Sequence, residues 1–407
     1  MSPIDNRGPA APTLRRRTKA VHAGHDPQSH HGFVNPPLYR GSTILFPTMA
    51  ALEEALGNKY AHEVIAYARY GTPTSRAFEQ AMADLEGGHA GVVTSSGLSA
   101  ITVTLMAFAA AGDHILVPDS VYQPARLFCT ETLARFGVET TFYDPLAGSD
   151  IDALVRPGTR LIYLESPGSL TLEIQDIPAI VGVARRHGIV TVIDNTWASP
   201  MFCQPLQLGV DVVVHAATKY ILGHADAMLG VIVAGAGTFD VVKRSAIRVG
   251  QCAGPDDVYL GLRGLRTLAG RMEQHQQHAL ELARWLQQRA EVGRVIHPAL
   301  PDDPGHEIWK RDFSGSSGLF SFVLRPVPKS AVAAMLDGMT LFAMGASWGG
   351  FESLLIPVYP DQSRITTPGR QAGPMLRMHA GLEHVDDLIA DLTAGFARLN
   401  AAARNRT

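Results

Sequence analysis

The chain is predicted to form a mostly parallel, seven-stranded α/β sheet with helices on both faces, followed by a smaller α/β C-terminal domain. Seven apolar, β-branched runs recur at 91–94, 114–118, 138–143, 160–165, 189–194, 210–214 and 228–234. Several gaps between them carry helical periodicity, and strands alternating with helices give a parallel sheet buried on both faces. The third observation is length: 407 residues exceed the roughly 250–300 that one hydrophobic core usually serves.

Residues 1–70 are expected to be an irregular arm, because Pro9, Pro12, Pro27, Pro36, Pro37 and Pro47 interrupt both helix and strand. Arg15, Arg16 and Arg17 form the one dense basic run and read as a solvated stretch of that arm. Its distinctive residues, Tyr67 and Arg69, come late. The large domain follows at 71–264. Within it, Leu98, Ile101, Leu105 and Phe108 are spaced as one helix face. A second helix runs from Asp176 through Ala184 to a stop at Gly188, with Pro178 tolerated in its first turn. The gap 217–227 lacks helical period, so the last strand is open to an antiparallel placement. A long helix is expected from Arg266 to Arg289, its start weakened by Gly264 and Gly270. It leads into a second domain, 265–407, with strand-like pieces at 319–324 and 375–379 and helical ones at 329–336 and 385–399.

Composition narrows the function classes. The net charge of −3 argues against nucleic acid or an anionic membrane surface as partner. Cys129, Cys203 and Cys252 are scattered, which fits neither a disulfide framework nor a zinc knuckle and suits a reducing compartment. The N-terminus has no apolar core of a secretory signal, and the apolar stretch from Ile101 to Ala111 is too short to span a bilayer. A cytoplasmic location is expected.

Ligands of open α/β sheets bind beyond the carboxyl ends of the strands. Three groups are expected there. Thr94-Ser95-Ser96-Gly97-Leu98-Ser99 opens a helix whose N-terminus can hold an anion, although a plain serine cap is the ordinary reading. Asp194 ends an apolar strand, where it either caps a turn or serves a function. Lys219 follows the sixth strand, where lysines commonly snorkel to solvent. Together, an anion cradle, a carboxylate and a lysine are what pyridoxal 5'-phosphate (PLP) requires. The lysine forms the Schiff base, the carboxylate keeps the pyridine nitrogen protonated, and the helix holds the phosphate. Arg377 offers a planar fork for a substrate carboxylate, unless it makes only a surface salt bridge. The competing motifs fail. Gly235-Ala236-Gly237 lacks the third glycine of a dinucleotide site, there is no Walker A string, and Gly345-Ala346-Ser347-Trp348-Gly349 precedes a poor helix start for a nucleophile elbow.

The strings AYARYGTPT, TSSGLSA, DSVYQPAR, ESPGSL, VIDNTWASP, HAATKYILGHADAMLG, SWGGFESL and LRMHAGLE, in this order, resemble the Cys/Met-metabolism family of PLP enzymes over roughly 30–400. The resemblance implies PLP fold-type I, the aspartate-aminotransferase-like architecture, and a homotetramer built from dimers that share active sites. It implies that Lys219 binds the cofactor and removes the Cα proton, Asp194 pairs with the pyridinium, and Tyr122 stacks on the ring. Gly97, Leu98 and Thr218 would hold the phosphate, and Tyr67 and Arg69 would reach it from a neighbouring subunit. Ser347, Trp348 and Arg377 would frame the substrate carboxylate. Ala216 stands where many relatives have serine, which removes one phosphate hydroxyl, and Leu98 replaces a frequent methionine. Ser166-Pro167-Gly168-Ser169 in place of an S-P-x-N-P string, together with Trp348, leans toward β-elimination of a sulfur amino acid such as L-cystathionine. A γ-acting relative and a PLP-binding regulatory protein are the alternatives.

Overall fold

The computed structural model describes residues 14–362, 364–366 and 372–404; Pro9 and Pro12 of the expected arm lie outside them. The large sheet is built from β1 (Ala90–Thr94), β2 (His114–Pro118), β3 (Glu139–Tyr143), β4 (Thr159–Glu165), β5 (Val190–Asp194), β6 (Val212–His215) and β7 (Gly230–Ala234). Their spatial order is β1-β7-β6-β5-β4-β2-β3. Every residue of β1, β2, β6 and β7 is buried. Helices on both faces explain why these strands read as continuous apolar runs instead of alternating ones.

β2, β3, β4, β5 and β6 pair in parallel, whereas β7 is antiparallel to both β6 and β1. The segment between β6 and β7 holds no helix to carry a crossover, so the chain turns back on itself. β1 therefore runs in the same sense as β6, and the carboxyl ends of β1, β4, β5 and β6 share one edge.

The helix after β1, Gly97–Phe108, starts with a capping box: the Ser96 side chain accepts from Ser99 N–H while Ser99 Oγ accepts from Ser96 N–H. The helix Ile177–His187 is capped by Asp176 and closed by Gly188 at φ 65°, a left-handed position that glycine occupies without a Cβ clash.

The second sheet contains β8 (Val292–Ile296), β9 (Leu319–Leu324), β10 (Leu354–Val358) and β11 (Met375–His379) in the order β10-β11-β9-β8, antiparallel throughout. Helices Lys329–Leu336 and Val385–Arg404 pack on it through Met335, Leu388 and Leu392 against Phe320, Phe322 and Leu376. β8 and β10 were not anticipated. Both are edge strands: one carries Pro357, which a sheet admits at its edge, and the other carries Gly293 at a shift in register.

The linking helix runs Pro255–Gln287. Its start at Arg266 was misplaced in the sequence reading: Pro255 opens it, and Asp256 and Asp257 face the positive end of its dipole. Leu262, Leu265, Leu268 and Met272 enter the core of the large sheet, while Ala279, Leu282 and Leu286 enter that of the second. Each fully buried leucine contributes about 1.5–3 kcal/mol, so this helix holds the two sheets together. Gly264, read as a weakness, is a packing requirement: a Cβ there would lie 2.1 Å from the Ile221 carbonyl oxygen.

The arm also differs from expectation. It contains helices Arg16–His22 and Met49–Gly57. Arg16 donates to the Met201 carbonyl at 2.8 Å, and Arg17 grips both oxygens of Glu273 at 2.8 and 3.0 Å. Arg15 and Arg17 stay exposed to solvent as expected, while buried Ala20 draws the helix onto the core beneath the large sheet.

Two glycines of the linking helix separate packing from propensity. Gly264→Ala should destabilise by about 1–3 kcal/mol through overpacking. At Gly270 a Cβ would meet nothing within 4 Å, so Gly270→Ala should stabilise by about 0.8–1 kcal/mol. Thermal melts of the two variants should shift in opposite directions.

Candidate active site

At the shared edge, the turns after β1 and β6 touch. A Cβ on Gly97 would come within 2.3 Å of the Ala216 Cβ, so the small residues at both positions permit the contact. This brings the start of helix Gly97–Phe108 beside Thr218 and Lys219. The first N–H groups of a helix have no acceptor within it. Ser96 serves the N–H of Ser99, which leaves those of Gly97 and Leu98 for another partner. The Thr218 hydroxyl donates to the Leu229 carbonyl at 3.1 Å and accepts from Leu229 N–H at 2.9 Å; the pair ties β7 to this turn.

Lys219 Nζ donates to Ser347 Oγ at 2.6 Å and lies 5.2 Å from the Trp348 ring centroid. Burial and, after it, the Arg377 charge push its amine down to about 8, while Asp194 pulls the other way. About a tenth of such an amine is neutral at pH 7, against less than about a thousandth at the ordinary value. A snorkelling lysine would keep that ordinary value.

Asp194 closes β5 and accepts from Thr196 N–H at 2.8 Å. Burial raises its carboxyl, opposed by the Thr196 hydrogen bonds and the charges of His215 and Lys219. Tyr122 caps helix Gln123–Leu127. Burial raises its phenol first, then the neighbouring Asp194 carboxylate, with Arg377 opposing. Arg377 Nη2 donates to the carbonyls of Gly345, Ala346 and Ser347 at 3.3, 3.3 and 3.0 Å, and desolvation brings the guanidinium down to about 10. Tyr122, Asp194, Lys219, Ser347, Trp348 and Arg377 thus meet across the seam between the two domains.

The loop bearing Ser347 and Trp348 is pinned from two sides. Gly349, at φ 85°, lies where a Cβ would be 3.1 Å from Lys219 Cα. His379 Nε2 pairs with the Gly350 carbonyl at 3.1 Å, and burial pushes that imidazole down to about 3. The Trp348 ring lies 5.4 Å from that of Tyr220. Between the Ala343–Leu354 bridge and β10 this segment is neither strand nor helix, so Ser347 is no nucleophile elbow.

Tyr67 and Arg69 do not join this cluster within the chain. Arg69 donates to the Ile247 carbonyl at 2.7 Å and lies over the Tyr70 ring at 5.0 Å. It lines a separate cavity of about 330 Å³ with Lys243, Ile247 and Gln251.

The sequence reading missed Glu165, which closes β4 directly opposite Asp194 in the parallel register. The signal that singled out Asp194, an acidic residue ending an apolar run, was present there as well. It also missed buried Glu86, which accepts from Asn195 at 2.9 Å and pairs with His215 at 2.6 Å; nothing in its helix marks a residue whose partners are 109 and 129 positions away.

The Cys/Met metabolism PLP-dependent enzyme family matches residues 17–397. The chain belongs to this family. It is 47% identical over 388 residues to a putative cystathionine beta-lyase of Rhizobium johnstonii, covering 94% of this chain and 96% of the relative. It is 44% identical to the cystathionine beta-lyase of Salmonella typhimurium, covering 94% and 98%. Among solved structures, a cystathionine gamma synthase from Xanthomonas oryzae pv. oryzae in complex with aminoacrylate and cysteine superposes with a TM-score of 0.86 at 33% identity, covering 95% of this chain and 99% of that one.

The residues present fit PLP. The cluster offers an amine of lowered basicity to attack an aldehyde, a carboxylate at a strand end to accept a pyridinium N–H, and N–H groups at a helix start to donate to a phosphate. Among the described residues there is no group of acidic, histidine or cysteine side chains able to hold a metal ion.

Competitive labelling with an amine-reactive ester, read by mass spectrometry, should show Lys219 of the apoprotein half-reactive near pH 8. Reactivity should rise with pH, because only the neutral amine attacks. A lysine of ordinary basicity would need a pH about two units higher.

Proposed function

We propose that the chain is a PLP-dependent carbon–sulfur lyase that converts L-cystathionine and water to homocysteine, pyruvate and ammonia, a step of methionine biosynthesis, with cystine-like substrates also accepted. The carrying observation is the convergence of Lys219, Asp194, Tyr122 and Arg377 at one sheet edge in a chain of this family. The preference for β-elimination rests on the likeness to relatives that bear the β-lyase name, against lower identity to the γ-synthase structure.

In this reading Lys219 anchors the cofactor and Asp194 faces its pyridinium. Gly97 and Leu98 N–H groups with Thr218 hold its phosphate, and Tyr122 covers its ring. PLP, when bound, supplies the sink for the electrons left on Cα. Arg377 has N–H groups besides Nη2 with which to take the substrate carboxylate, next to Ser347 and Trp348. Each charge-assisted hydrogen bond of that kind is worth about 1.5–3 kcal/mol, enough to fix the direction of the Cα–H bond. Lys219 Nζ takes the Cα proton and returns it to the departing homocysteine sulfur. Its lowered basicity makes both transfers feasible near neutral pH.

The same proposal places Tyr67 and Arg69 in the active site of a neighbouring subunit within a homotetramer. Supporting it, the arm carries Phe33, Leu45 and Met49 with 72, 90 and 74% of their surface exposed, apolar side chains that a neighbouring subunit would cover. It divides the chain into the arm (1–70), a large domain (71–264) and a second domain (265–407). No described helix is long and apolar enough to cross a membrane, and the three cysteines are free; both suit a cytoplasmic enzyme.

Purified protein incubated with L-cystathionine should yield pyruvate and homocysteine by mass spectrometry. 2-Oxobutyrate with cysteine would assign γ-elimination instead. Lys219→Ala should lose at least about 10²-fold in turnover. Lys219→Ala and Arg69→Ala subunits, each nearly inactive alone, should regain part of the activity when mixed and reassembled, since a mixed pair carries one intact shared site. Mixing without recovery would put Arg69 outside the neighbour's site.

A further inference from the structure

The ends of β4 and β5 place two carboxyl groups side by side. Glu165 and Asp194 are register partners on adjacent parallel strands, whose backbones lie about 4.8 Å apart, so both side chains leave the same face of the sheet as neighbours. For neighbouring carboxyl groups withdrawn from water, burial and mutual repulsion act together against both being ionised. The surroundings decide which keeps the charge. Asp194 faces Lys219, whose positive charge favours its ionised form, and accepts from Thr196.

Glu165 is only 8% exposed. It faces Asp194 from β5, Tyr163 from its own strand and Tyr143 from β3, and the backbone N–H groups of Tyr122 and Ser169. Arg377 acts on Tyr122 rather than on this carboxyl. Desolvation and the Asp194 charge drive the Glu165 carboxyl far above the ordinary range, and the two N–H groups offset only part of this.

Geometry gives Glu165 a task. Its Oε2 accepts the backbone N–H of Tyr122 at 2.9 Å, the residue whose ring covers the site. Its own N–H donates to Gln175 Oε1 at 2.9 Å, and Gln175 is held in turn by Tyr143 and Ser166. The turn that carries Tyr122 is thereby tied to the interior of β4.

We propose that Glu165 is a positioning residue of the active site, an uncharged carboxylic acid that fixes the Tyr122 turn and leaves Asp194 as the single anion at this edge. This rests on the proposed PLP function only for the consequence in turnover; the charge assignment stands in the apoprotein.

The test therefore has two arms. In the apoprotein, an acid held neutral by the fold stabilises fully below its unfolded value, about 4.3, and that stabilisation fades as pH rises toward the folded value. Glu165→Gln, which cannot ionise, should match wild type near pH 5 and melt several degrees higher near pH 8. Parallel pH profiles would overturn the proposal. In the holoenzyme, Glu165→Ala should lose at least about 10-fold in kcat with altered circular dichroism of the cofactor band, and Glu165→Gln should recover most of both. A Gln variant as impaired as the Ala variant would show that a negative charge is needed and would also overturn it. Failure of β-elimination in wild type with diverging melt profiles would instead sink the functional reading and leave the charge assignment standing.

Discussion

The amine of Lys219 is largely withdrawn from water between the large sheet and the segments of the second, and the active-site architecture depends on that desolvation. Exposed, it would be a cation of ordinary basicity with little use as a base. Buried beside Arg377 and opposite Asp194, it is poised near neutrality. The large sheet supplies the lysine and the carboxylate, while the second domain supplies the arginine, Ser347 and the Trp348 face. The lysine's lowered basicity therefore depends on residues from both sheets.

Close packing of these segments explains features that otherwise look like local defects. Gly264 admits the Ile221 carbonyl to the linking helix, Gly349 admits the Lys219 backbone, and Gly97 admits Ala216. Each removes a side chain where two segments of backbone must approach, and each contact lies on the path that fixes the lysine relative to Arg377. His379 and His275, with imidazoles pushed down to about 3 and about 4 by burial, fill the seam as neutral groups. They hydrogen-bond the Gly350 and Ala380 carbonyls without adding a cation next to Lys219.

Electrostatics at the other side of the site follows the same economy of charge. Asp194 sits among groups that favour its ionised form, whereas Glu165 faces tyrosines and Asp194 itself. Two carboxyls with one chemical identity thus receive different protonation from their surroundings. The buried Glu86–His215 pair sits at the strand end that precedes Lys219.

Sequence alone determined the α/β class, the positions of the seven strands and the residues at their carboxyl ends, because strand runs and helix caps are written in local patterns of apolar and small residues. Asp194, Lys219 and the Ser96-Gly97 turn were legible for that reason, and the ordered strings carried Tyr122, Ser347, Trp348 and Arg377. The tertiary structure decided the rest. The antiparallel turn of β7, the edge strands β8 and β10, the docking of Arg16, and the start of the linking helix at Pro255 depend on partners far away in the chain. So do the lowered basicity of the Lys219 amine and the different surroundings of Glu165 and Asp194, since burial and the distance between charges are properties of the packed molecule and appear in no local pattern.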